Sequence, residues 1–341
     1  MLDTVKTLCY LSGVSGAETE VRDYILEYVI DHADKVETDS MGNLLVFKSG
    51  RVTPERTLLL CAHMDEVGLI VTGVSDDGYL RFDSVGGIDR RVLIGKRVFI
   101  GKERVPGVIG IKAYHLVSKE EEKSVPKVSD MYIDIGAKDK KEADAQIQLG
   151  DRGVFEDNIL EFGEGYLKAK ALDDRLGCAV MLELIQEELP CDTWFAFTVQ
   201  EEVGTRGAFG AAFKLKPDIA LVIEGTTAAD LPGVEGGKHI CRLGDGVVIP
   251  FMDSGTIYDT ELRNRLISLA DKNEIKWQTK ERIAGGTDAS AIQRSRAGVK
   301  TAAIAAGLRN IHTPVSVANI SDLDGVLKLA RLFIESVSED F

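Results

Sequence analysis

Cysteine is scarce and scattered in this 341-residue sequence. There are five, Cys9, Cys61, Cys178, Cys191 and Cys241, an odd number with no CxxC pair. This excludes a disulfide framework and a structural zinc held by paired cysteines, and it fits a reducing, cytoplasmic setting. Positive charge is also short: 41 Lys and Arg stand against 55 Asp and Glu, a net charge of -14. Nucleic acid and anionic membrane surfaces are therefore not expected as partners, because phosphate binding needs a basic face. No apolar run reaches the ~18 residues of a membrane span. The opening MLDTVKTLCYLSGVSGAETEV lacks the basic start and long apolar stretch of a signal peptide. Internal repeats and low-complexity tracts are missing, and only five histidines occur.

What is there suffices for proper cores. Hydrophobic residues make up 44% and charged residues 28%, and the length favours two domains. Ser15-Gly16-Ala17-Glu18 reads as a capping box ahead of Val21, Tyr24, Ile25, Tyr28 and Val29, which recur at helical spacing. Buried strands are expected at 43–48 and 56–62. From Glu66 to about Gly165 the segments turn short and β-rich. Runs at 68–74 and 79–82 flank the hairpin signal Ser75-Asp76-Asp77-Gly78, and strands follow at 92–100, 105–111 and 131–135. Residues 119–127 form a charged, solvated loop. After Lys170 helices at 175–189, 206–215, 259–273 and 321–338 alternate with strands at 193–200, 219–223 and 300–305. That alternation implies a sheet covered on both faces. The expected fold is α/β: a mixed-sheet α/β/α domain built from residues 1–65 and 166–341, with a small β-barrel-like domain inserted at 66–165.

Ligands of open α/β sheets bind beyond the carboxyl ends of the strands. Those ends are chemically rich here. His63-Met64-Asp65-Glu66 follows one strand, Glu201-Glu202 a second and Glu224-Gly225 a third. A short loop after the last strand reaches His312-Thr313-Pro314, and Leu172-Asp173-Asp174-Arg175 precedes a helix. Each site alone has an ordinary explanation. His63 can be a satisfied histidine, Asp173-Asp174 a helix cap, Glu201-Glu202 a solvated turn, Glu224 half of an ion pair, and His312 a loop-shaping residue. The coincidence carries the weight, because two of five histidines stand at strand ends matched by carboxylates at others. Such nitrogen and carboxylate donors suit Zn or Co. His32, His115 and His239 take no part in this pattern. His63 and Asp65, two apart on extended chain, face the same way, so Asp65 can orient the imidazole. Adjacent Glu201 and Glu202 point to different sides, so one can bind metal while the other takes a proton. Asp173 has two oxygens, enough to bridge two ions.

The sequence resembles the tetrahedral (TET-type) aminopeptidases, a metallopeptidase family that includes glutamyl aminopeptidases and proteins labelled cellulase M or endoglucanase. The resemblance covers essentially the whole chain. It is carried by Ala62-His63-Met64-Asp65-Glu66-Val67-Gly68, Gly107-Val108-Ile109-Gly110, Ala171-Leu172-Asp173-Asp174-Arg175, Gln200-Glu201-Glu202-Val203-Gly204, Gly285-Gly286-Thr287-Asp288-Ala289 and His312-Thr313-Pro314.

The resemblance implies a di-metal exopeptidase acting on the N-terminal bond of short peptides. His63, Asp173 and Glu224 would hold one ion, and Asp173, Glu202 and His312 the other. Glu201 would be the general base and Asp65 the partner of His63. It also implies a cis peptide at Asp173-Asp174, and an inserted domain that mediates dimerisation within dimers or tetrahedral dodecamers. Two departures stand out. Many relatives carry Asp where Glu224 stands, and many have His-Ser-Pro in place of His312-Thr313-Pro314. The alternatives are a glycoside hydrolase, for which adjacent Glu201 and Glu202 are poorly placed to straddle a sugar, another di-metal amidohydrolase or deacylase, and a non-catalytic assembly protein. Gly285-Gly286-Thr287-Asp288 reads either as part of a substrate pocket or as a turn with a helix cap. Gly86-Gly87-Ile88-Asp89-Arg90-Arg91 is equally open.

Overall fold

Residues 1–339 are described by a computed structural model. Eight strands form one sheet in the order Lys35–Thr38, Leu44–Lys48, Thr193–Thr198, Leu58–His63, Ile219–Thr227, Lys300–Leu308, Val247–Val248, Trp277–Gln278. The central four are parallel to one another. Leu44–Lys48 runs antiparallel to Thr193–Thr198, and Val247–Val248 antiparallel to Lys300–Leu308, which makes the sheet mixed. Strand alternation supplies two cores. Leu58 and Leu60 face the helices Leu2–Tyr10, Thr19–Val29, Leu172–Gln186 and Ile320–Ser338, whereas Leu59 and Cys61 face Arg206–Leu215 and Ala289–Gln293. Helices thus cover both faces, as the alternation of apolar runs required.

A second unit is a closed six-stranded barrel: Arg152–Phe155, Gly68–Val74, Leu80–Val85, Met131–Asp134, Val105–Ile111 and Arg97–Ile100. Its core contains Leu69, Val71, Leu80, Phe82, Val98, Ile100, Ile109 and Ile133. The barrel leaves the sheet where Leu58–His63 ends. Gly68 is required there, because a Cβ would stand 2.3 Å from a Val14 methyl and 2.7 Å from the Gly153 carbonyl. The return strand Leu160–Phe162 pairs with Tyr166–Ala169, which in turn pairs with Ser316–Asn319, and this ties the exit from the barrel to the α/β unit.

Several local expectations differ from what the chain does. Ser15 and Glu18 form no capping box: the helix Thr19–Val29 has no side-chain cap. The Ser15 hydroxyl instead donates to Asp65, and a Glu18 carboxylate oxygen accepts from the amides of Gly16 and Gln200. The expected strand from Val92 begins at Arg97, because Arg90–Val92 is a 3-10 turn capped by Asp89. The helix expected to reach Leu189 stops at Gln186, and Leu189–Cys191 forms a short strand parallel to Gly50–Val52. The expected strand 219–223 continues to Thr227, so Glu224 lies within it rather than beyond it.

Candidate active site

The strand register creates the site. Thr198 lies beside His63, and Ile219–Thr227 pairs in register with both Leu58–His63 and Lys300–Leu308. The carboxyl ends of these strands therefore converge at one edge of the sheet. Between them Ala171 adopts left-handed φ, the Asp173–Asp174 peptide is cis, and neither aspartate has helical dihedrals. Four non-glycine residues with positive φ, Ala171, Gln200, Thr205 and His312, flank this point. Left-handed backbone of this kind concentrates at functional sites.

The residues singled out from the sequence come together. His63 Nε2 lies 3.4 Å from Asp173 Oδ1, 3.7 Å from Glu224 Oε2 and 4.0 Å from Glu201 Oε2. His312 Nε2 lies 3.4 Å from the other oxygen of Asp173 and 3.3 Å from Glu202 Oε2. Asp173 thus stands between the two imidazoles with one oxygen toward each. The other ring nitrogens are fixed by the fold. His63 Nδ1 is 3.0 Å from the Asp65 carbonyl and 3.5 Å from its carboxylate, and His312 Nδ1 is 2.8 Å from the Gly87 carbonyl. Both contacts leave Nε2 facing the cluster, an arrangement typical of metal-binding histidines.

Burial is the dominant electrostatic fact. His63, Asp65 and Asp174 are at most 1% exposed, and Glu224 is 4% exposed. Burial pushes the carboxyls of Glu201 and Glu224 well up, and repulsion from neighbouring carboxylates adds to it. Glu202 is pushed up to about 8 by burial and by the charge of Asp173. Burial opposes charge on His312 and His63, yet their acidic neighbours outweigh it. His312 is raised to about 9 and His63 well above the usual imidazole value.

The donor set fits divalent cations. Asp173 Oδ1, Glu202 Oε1 and Glu224 Oε1 are buried with no hydrogen-bond partner among the described residues. A buried carboxylate oxygen without a donor is costly and calls for a ligand. Donor atoms of His63, Asp173 and Glu202 lie within 4.8 Å of one another, as do those of His63, Asp174 and Glu224. Asp174 is otherwise engaged: its carboxylate accepts from the amides of His63 and Gly177. That leaves Asp173, Glu202, Glu224, His63 and His312 as free donors.

Asp65 is more than a partner of His63. Its two oxygens accept from the amides of Glu201 and Glu202, at 2.9 and 3.1 Å, and from the Ser15 hydroxyl at 2.6 Å. Asp65 therefore holds the imidazole through its backbone carbonyl and the Glu201-Glu202 backbone through its carboxylate. Asp288 was not assigned a part in the site by sequence reasoning. It is fully buried beside the cluster, accepts from the Thr198 hydroxyl and contacts the Cys61 thiol, and burial raises its carboxyl to about 6. It heads the helix Ala289–Gln293 without capping it through its side chain. The Gly86-Gly87 loop, left open by the sequence, approaches the site from the barrel. At Gly86, with φ of 80°, a Cβ would stand 3.3 Å from Glu202 Cβ and 2.8 Å from a Val67 methyl.

Known proteins resemble this chain along nearly its whole length. The M42 glutamyl aminopeptidase family model matches residues 42–329. A protein of Acetivibrio thermocellus, provisionally named an aminopeptidase, is 38% identical over 331 residues, which are 96% of this chain and 97% of that protein. The lysyl aminopeptidase of Pyrococcus furiosus is 32% identical over 344 residues, 98% of this chain and 97% of its own. Among solved structures, the Pyrococcus horikoshii TET1 peptidase, described as assembling into a tetrahedron or a large octahedral shell, superposes with a TM-score of 0.85 at 37% identity, covering 97% of this chain and 98% of its own. By the extent of these matches the chain belongs to the M42 glutamyl aminopeptidase family of peptide-bond hydrolases.

Proposed function

We propose that the chain removes the N-terminal residue of short peptides with two bridged divalent ions, Zn or Co, and Glu201 as general base. The carrying observation is the trio of buried, partnerless carboxylate oxygens on Asp173, Glu202 and Glu224 beside two imidazoles whose Nε2 atoms face them. In this reading His63, Asp173 and Glu224 would hold one ion and Asp173, Glu202 and His312 the other. Divalent ions held there supply Lewis acidity, which brings the ionisation of water toward neutral pH and polarises a carbonyl.

The protein's own groups do the rest. Glu201 is the acidic residue of the strand-end set that needs no metal: its carboxylate is 12% exposed, stands at the edge of the cluster, and makes no hydrogen bond among the described residues. Its raised affinity for a proton, caused first by burial, suits a group that takes a proton from attacking water and returns it to the leaving amine. Asp65 holds the Glu201 backbone and so aims that carboxylate. Gly87 aims His312 from the inserted barrel. We also infer a cytoplasmic homo-oligomer, a dimer or tetrahedral dodecamer, with residues 66–165 as the inserted dimerisation domain. The shell-forming TET1 relative supports assembly, and no helix among the described residues is long and apolar enough to cross a membrane.

The test is a panel of aminoacyl p-nitroanilides with free and acetylated amines, assayed after chelation and after return of Zn, Co or Mn. Hydrolysis confined to free amines, lost with chelator and restored by metal, is expected. Metal-independent turnover, or equal cleavage of blocked substrates, would overturn the reading.

A further inference from the structure

We infer that the cavity between the helices Arg206–Leu215 and Ala289–Gln293 binds an organic anion, a carboxylate or phosphate that carries an aromatic or aliphatic group. The site is separate from the metal cluster, since none of the candidate metal ligands lines it. It stands whether or not that cluster cleaves peptides.

The two helices pack against each other on one face of the sheet. Arg206 and Phe209 are three residues apart at the start of the first, and Ala291 and Arg294 three apart at the end of the second, so each pair shares a helix face. Between these faces and Met41 lies a cavity of about 580 Å³, also lined by the Gly204-Thr205 turn. Small-molecule sites run to roughly 300–1,000 Å³. The space is kept open by small residues: Ala291 offers only a methyl, and a Cβ added at Gly204 would meet nothing within 4 Å. The walls are apolar and uncovered, with Phe209 60% exposed and Met41 38% exposed. Exposed apolar surface rimmed by polar groups marks a binding groove.

The charge of the cavity runs against that of the chain. Asp and Glu outnumber Lys and Arg by 55 to 41, yet two arginines and no acidic residue line this space. Among the described residues the Arg206 side chain makes no hydrogen bond or ion pair. Arg294 donates through Nε to the Ser290 carbonyl at 2.7 Å and meets no carboxylate, which holds the group in place and leaves its Nη donors free. Asp39, two residues from Met41, is engaged by the amides of Met41, Gly42 and Asn43. By contrast, Arg104 pairs with Asp157, Arg309 with Asp230 and Arg331 with Glu187. A guanidinium presents a planar fork that matches carboxylate and phosphate alike. Two such forks beside a phenyl ring and a thioether fit an anion with an apolar body. Arginines that merely keep a surface solvated would not prefer such an anion to its neutral analogue.

The experiment titrates the metal-loaded protein calorimetrically, at low salt, with N-acetyl-L-phenylalanine, phenyl phosphate and the neutral N-acetyl-L-phenylalaninamide. None of the three carries the free amine of an aminopeptidase substrate. Saturable binding of at least one anion is expected, about tenfold or more tighter than the amide, and the tighter anion assigns the ligand group as carboxylate or phosphate. Arg206→Met and Arg294→Met should each weaken that binding about tenfold, as expected for loss of a charge-assisted hydrogen bond, with metal content and Tm unchanged. Arg206→Lys, which keeps the charge without the fork, should recover part of it. No saturable binding of either anion, or an amide that binds as tightly as both, overturns the inference. Anion binding that is unmoved in both methionine variants also overturns it, because the anion then sits on the metals instead.

Discussion

Two buried charge clusters lie side by side in this molecule, and they are built on opposite terms. In one, Glu66 meets Lys170 at 2.7 Å and Arg175 at 3.3 Å. Lys170 also donates to the Leu11 carbonyl, and Arg175 donates to the carbonyls of Met64 and Leu8. Acid, bases and carbonyl acceptors satisfy one another, and the cluster staples the helix Leu2–Tyr10 to the centre of the fold. In the other, one residue away at Asp65 and two at Asp173, carboxylates outnumber cations and three oxygens have no donor. The first cluster is complete as a piece of protein. In the proposed reading the second is completed by cations, and this deficit of donors, rather than burial or acidity alone, is what sets it apart from the first.

The contrast can be broken most severely at Glu201. Glu201→Gln is expected to lower kcat by about 10²–10⁴-fold while leaving the metal content unchanged, measured by p-nitroanilide turnover alongside elemental analysis. A drop accompanied by loss of metal would move Glu201 into the ligand set. Next comes the self-satisfied cluster. Lys170→Met leaves Glu66 and the Leu11 carbonyl short of a donor, and breaking a buried pair from one side costs roughly 3–5 kcal/mol of stability. Denaturant unfolding should show that loss, and the folded fraction should still load metal. Lost loading with unchanged stability would erase the distinction between the clusters.

Much of this arrangement was legible in the sequence because parallel strands buried on both faces read as apolar runs, and the residues that end them stand out. Leu58 to Ala62 is such a run, with His63 at its end. The closing strand Lys300–Leu308 was equally plain, though it runs three residues past its expected end. What stayed hidden depends on partners far apart in the chain. Ser15 and Glu18 match a capping box in their local spacing, but their partners Asp65 and Gln200 lie 50 and 182 residues away, and nothing local distinguishes the two uses. Asp288 looked like a helix cap until Thr198 and Cys61 claimed its carboxylate. The Gly86-Gly87 loop gains its meaning only when barrel closure delivers the Gly87 carbonyl to His312. Closure itself rests on Arg152–Phe155 pairing with both Gly68–Val74 and Arg97–Ile100, a long-range match no periodicity announces.

The most direct measurement is metal stoichiometry on the chelated and reloaded protein, by elemental analysis or calorimetry. Wild type should take up two divalent ions per chain, and His63→Ala and His312→Ala should each bind fewer. A folded wild type that takes up no divalent ion, or histidine variants that bind as many ions as wild type, would contradict the account.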